Sequence, residues 1–143
     1  MLRAVAGWAT CVALLAGCGE AGDAKAPAKP ARDSIALAVR YDDGAGLVRN
    51  GRLTCTKGKQ RATGALAGKA PAARLCARVR GIAPLLTKPR PKRVACTQIY
   101  GGPQTLRVTG RIDGRAVRRR FARTDGCEIA DFDRVARALP ITT

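Results

Sequence analysis

The stretch Leu106-Arg107-Val108-Thr109-Gly110-Arg111-Ile112-Asp113-Gly114-Arg115-Ala116-Val117-Arg118-Arg119-Arg120-Phe121 decides the fold. Leu106, Val108 and Ile112 alternate with Arg107, Thr109 and Arg111, the period-two pattern of a strand with one buried face. Asp113-Gly114 supplies a two-residue turn, and Val117 and Phe121 continue the apolar face on the return strand. Across such a turn residues 112 and 115 pair and share a face. Arg107, Thr109, Arg111, Arg118 and Arg120 therefore gather on the other side. The stretch reads as a β-hairpin with a core face and a strongly basic face.

Working upstream, Cys96-Thr97-Gln98-Ile99-Tyr100 reads as an exposed loop anchored at one end by a cysteine. A bridge there would remove conformational freedom from the loop and lower the entropic cost of its being gripped by a partner. Pro84, Pro89 and Pro91 break up the segment 83–93, which reads as an irregular approach to that loop. Before it comes a helix. Pro71 suits a first helical position, Ala72, Leu75, Cys76 and Val79 fall at i, i+3, i+4 and i+7, and Gly81 is placed to end it. Cys76 then faces the core, where a bridge to Cys55 is feasible.

Two further strands are expected, one from about Ser34, where Ile35, Leu37 and Val39 alternate before Asp42-Asp43-Gly44, and one over 47–56. Segment 57–69, rich in Gly, Lys and Ala, reads as a flexible loop. Beyond Cys127 a short helical stretch is expected near 128–133, with Val135 and Leu139 packing back. Several strands with one substantial helix between them give an α+β fold, an antiparallel sheet covered by helix on one face.

The N-terminus reads as an export signal. Arg3 precedes the apolar run 4–15, too short to span a bilayer as a finished helix. Leu15-Ala16-Gly17-Cys18 resembles a bacterial lipobox, which makes residues 1–17 a lipoprotein signal peptide and Cys18 the lipidated residue, with Cys11 lost on cleavage. Residues 18–33 form a tether of Ala, Pro, Lys and Gly, and 34–143 the folded domain. Some 14 tether residues at about 3.1 Å each would hold that domain roughly 40 Å from the membrane. The expected location is the outer face of the cell membrane, or the medium if Cys18 is not lipidated. Four cysteines then remain, and three pairings are open, the most local being Cys55 with Cys76 and Cys96 with Cys127.

The chain of 143 residues carries a formal charge of +17, which falls to +16 without Arg3. Such a surface attracts anionic lipid headgroups or cell-wall polymers, and an alternative reading is a non-inhibitory basic envelope lipoprotein. Nucleic acid is not expected, because the chain is exported and poor in aromatic residues for base stacking. With no histidine, no Cys-x-x-Cys and no recognisable serine-base arrangement, neither catalysis, nor a metal site, nor a cofactor is expected.

Leu53-Thr54-Cys55, Leu75-Cys76, Cys96 with Tyr100 and Pro103 beyond it, Val108-Thr109-Gly110, Gly114 and Cys127-Glu128 occur in an order and spacing that resemble the Streptomyces subtilisin inhibitor-like proteins. The resemblance covers about residues 34–135. It implies a five-stranded antiparallel sheet with two helices, disulfides Cys55–Cys76 and Cys96–Cys127, possible homodimerisation through the sheet, and inhibition of subtilisin-like and sometimes trypsin-like serine proteases. It further implies a reactive loop of Val94, Ala95, Cys96, Thr97, Gln98, Ile99 and Tyr100, with Gln98 as the specificity residue and Gln98-Ile99 as the scissile bond. Thr97 and Gln98 stand where the family usually has proline and Met or Lys. Ala95 is small where the family has a bulkier apolar residue. Asp125 occupies the place of an asparagine that supports the loop, and an ionised carboxylate accepts but cannot donate. Gly101-Gly102 is expected to lengthen or loosen the loop exit.

Overall fold

The computed structural model describes residues 33–88, 90, 91 and 94–142. The expected signal peptide, Cys11, Cys18 and nearly all of the expected tether lie outside the described residues, as do Pro89, Lys92 and Arg93. The described chain forms five strands, β1 (Ile35–Asp42), β2 (Val48–Thr56), β3 (Lys59–Gly64), β4 (Thr105–Ile112) and β5 (Arg115–Phe121). It also forms three helices, α1 (Ala72–Gly81), α2 (Ala83–Thr87) and α3 (Gly126–Ala138). The strands make one antiparallel sheet in the order β3-β2-β1-β4-β5. The fold is α+β, with disulfides Cys55–Cys76 and Cys96–Cys127.

Alternation sets which face each strand buries. Ile35, Leu37, Val39 and Tyr41 of β1 point inward with Leu53 and Cys55 of β2 and Leu106, Val108 and Ile112 of β4. The register of the β4–β5 hairpin is the one its sequence dictates. Ile112 pairs with Arg115 and Leu106 with Phe121, and both turn residues take positive φ, 49° at Asp113 and 80° at Gly114. The helices cover the inner face, α1 over β2 and β3, α2 and α3 over β4 and β5. α1 buries Leu75, Cys76 and Val79 on one stripe, so the Cys76 thiol meets Cys55 beneath it. Pro71 is its N-cap rather than its first helical residue. Among the described residues, no helix is long and apolar enough to cross a membrane.

Three local expectations are corrected. Segment 57–69 holds β3, an edge strand whose only half-buried side chains are Ala62 and Thr63. A strand paired on one side, whose inner face meets the core only through Ala62, carries no period-two hydrophobic pattern, so nothing in its composition announced it. Segment 83–93 begins with α2, in which Pro84 sits in the first turn, where its missing N–H costs nothing. The fold thus has a short third helix beside the two expected. The last helix extends well past 128–133 to Ala138, and Val135 and Leu139 are fully buried. The tail packs on behind it, with Ile141 buried and its carbonyl accepting from Arg49 Nη1 (3.3 Å).

Candidate functional site

Segment 94–100 has no regular structure, and its apolar members are exposed: Val94 by 49%, Ile99 by 59% and Tyr100 by 68%. Both ends of this exposed loop are fixed. The fixing is done by α3. Cys96 is bonded to Cys127 in its first turn, and the Gly126 N–H donates to the Thr97 carbonyl (2.9 Å). A Cβ at Gly126 would collide with Thr97 Oγ1, so a larger residue there would force the Thr97 side chain to turn away.

The far end is held by Arg123. Its carbonyl accepts from the Gly101 N–H (2.7 Å), and its Nε donates to the Gly101 carbonyl (2.9 Å). The guanidinium is itself oriented by Asp133 (2.6 Å) and by stacking 5.1 Å from the Phe132 ring centroid. Gly101 also lies against the Ile129 side chain, and the β1–β2 turn at Gly44 packs on Pro103 just beyond. The exit of the loop is therefore clamped, contrary to the expectation that Gly101-Gly102 loosens it. Gln98, Ile99 and Tyr100 are left between two anchors one residue away on either side. Gln98 Nε2 makes only a long contact with the Cys96 carbonyl (3.5 Å), so its side chain is available.

Asp125 has a different task from the one expected. Its carboxylate accepts from the Glu128 N–H (2.9 Å) as the N-cap of α3, so it supports the loop only by fixing the helix start that carries Cys127. Direct support comes from Arg123, which sequence reasoning missed because one arginine in a run of basic residues carries no mark of its partner. An Asp125 oxygen and the sulfurs of Cys96 and Cys127 lie within 4.8 Å of one another. Both sulfurs are spent in the disulfide, so the trio offers no thiolate to a metal.

A second arginine, Arg90, also supports the loop. It donates to the Cys127 carbonyl (3.0 Å), pairs with Asp131 and approaches Glu128 (3.5 Å), tying the loop's approach to α3. Its pKa is raised, first by the hydrogen bond to Asp131, then against the opposing effect of burial by the charges of Asp131, Glu128 and Asp125.

Removing the Arg123 guanidinium should free the loop exit without unfolding the domain. In Arg123→Ala, protection of the Gly101 amide against hydrogen exchange should fall by about tenfold, equivalent to ~1.4 kcal/mol, while amides in β1 keep theirs. Unchanged protection at Gly101 would show that the clamp does not hold the loop. In comparisons with known proteins, no family model matches the chain and no curated protein matches it.

Proposed function

We propose that this protein is an exported, lipid-anchored serine protease inhibitor that offers Gln98-Ile99 to the protease as a substrate-like bond. The observation that carries the reading is the pair of anchors flanking three exposed residues, Thr97 on Gly126 and Gly101 on Arg123. The resemblance of the sequence to subtilisin inhibitor-like proteins supports it independently, as do two disulfides, which suit an oxidising compartment. The lipid anchor rests on the sequence around Cys18.

On this reading residues 94–98 lie extended along the protease cleft, and Gln98 enters its specificity pocket with its carbonyl facing the nucleophilic serine. Acylation would release the Ile99 amine. Because the anchors hold both sides of the bond, that amine stays beside the acyl carbon and religates faster than water can replace it. The loop is already ordered, so little conformational entropy is lost on binding.

The direct test is titration of subtilisin and of trypsin with the protein. Full activity of both at large molar excess would sink the proposal for those two enzyme types. The register is tested by Gln98→Met. Burying the amide without good partners costs on the order of 1 to 3 kcal/mol, so methionine should lower Ki for subtilisin by about tenfold or more. An unchanged Ki would place a different residue in the pocket.

A further inference from the structure

The open face of the sheet carries a cross-strand row in which Arg40, Arg107 and Arg120 stand directly opposite one another on β1, β4 and β5. Like charges so placed oppose folding, and a protein keeps such a row at a cost to itself. Among the described residues, only Arg40 of the three has an ion pair, an exposed one with Asp42 at 3.4 Å. The next row along the sheet runs Thr63, Arg52, Ala38, Thr109 and Arg118, with small residues between its two arginines. Those small residues leave a trough of about 290 Å³, walled by Arg40, Arg52 and Arg107 and floored by Ala38 and Thr109. A second depression, of about 500 Å³, continues it past Arg107 and Thr109 to Arg118 and Arg120. Together they cross the sheet transversely, over about 19 Å at the usual strand spacing.

We infer that this trough is a binding site for a linear phosphate-bearing polymer laid across the strands. Arginine forks match phosphate oxygens in pairs, and the trough supplies them at successive strand spacings along its length. The ligand would neutralise the repulsion within the Arg40–Arg107–Arg120 row, so the cost of that row in the free protein becomes a gain on binding. Other occupants fit less well. The outward side chains of β1, β4 and β5 are only Ala, Thr, Arg and Asp, so no ring is offered on which a base could stack, and the exposed apolar side chains Leu47 and Val48 lie at the far end of β2, outside the trough lining. A second copy docked face to face, the dimer that the family resemblance implies, would set arginine rows against each other. The site is independent of the protease loop, which leans on α3 on the opposite side of the sheet, so both can be occupied together.

The test compares Arg40→Gln/Arg107→Gln/Arg120→Gln with a charge-matched control on the helical side, Arg74→Gln/Arg78→Gln/Arg137→Gln. Long-chain inorganic polyphosphate is the probe. The sheet variant should bind about tenfold or more weakly and lose about three from its log–log salt slope, while the control changes by no more than about twofold. The sheet variant should also melt close to the parent, since the like-charge repulsion it relieves offsets the exposed Arg40–Asp42 pair it loses. Equal losses in both variants would overturn the site in favour of diffuse net charge. Equal or tighter binding to poly-L-glutamate would overturn phosphate recognition. Tighter binding to vesicles of phosphatidylglycerol and phosphatidylcholine in equal parts would assign the face to a membrane instead.

Discussion

Replacing Cys96 and Cys127 together by serine is expected to lower stability by about 3–4 kcal/mol and, on the proposed inhibitory reading, to abolish tight inhibition. The stability term follows from the 31-residue separation that the bridge closes, because an open chain of that length regains the entropy of loop closure when unfolded. The inhibitory term is separate. Without the bridge only hydrogen bonds hold Thr97 on α3, and ordering the freed side chains costs roughly 0.5–1.5 kcal/mol each on binding, so Ki should rise by about 100-fold or more. The variant should also be cut at the loop as an ordinary substrate. The control is Cys55→Ala/Cys76→Ala, which opens a bridge across 21 residues inside the core and should lose ~3 kcal/mol or more with little change in Ki. Denaturant unfolding and inhibition measured on both variants decide the matter. A folded Cys96/Cys127 variant with the parent's Ki would show that the loop owes its rigidity to something else.

Phe121→Ala should be the most damaging single change in the core, at about 3–5 kcal/mol. Phe121 is 1% exposed at the end of β5, pairs with Leu106, and carries the Arg119 guanidinium 5.5 Å from its ring. Truncation would leave a cavity between the last strand and the helices, and the neighbouring strand cannot move in without breaking the hairpin register. For a domain of this size such a loss lowers Tm by about 15 °C or more. Thermal unfolding followed by far-ultraviolet circular dichroism measures it. A loss below about 1 kcal/mol would mean that β5 does not close the core.

What could be read from the sequence divides by the range of the interaction. β1, β2, α1 and the β4–β5 hairpin are set by patterns spanning a few residues, so Ile35, Leu75 or Ile112 reveal their faces directly. β3 is a strand only because β2 lies beside it, and Lys59 to Gly64 contain no pattern of their own. The loop was found because Cys96 marks it. Its true supports were not, since Arg123 and Arg90 act through Gly101, Asp133 and Asp131, partners fixed only once α3 has packed. Asp125 acts on the loop through α3, which its place in the sequence did not reveal. An acidic residue just ahead of a helix is first of all a cap, and the local N–H of Glu128 outcompetes a distant loop. The basic hairpin face was legible, but its continuation through Arg40 and Arg52 needed the sheet order.

The bridge from Cys96 to Cys127 also encloses Gln98-Ile99 and the whole β4–β5 hairpin within one covalent ring. Cutting the ring at 98–99 turns it into a single branched chain, not two molecules. The new carboxyl end remains two residues from Cys96 and the new amino end two residues from Gly101, so no fragment can diffuse away. For an observer who weighs only molecules, a cut and an uncut protein differ by one water.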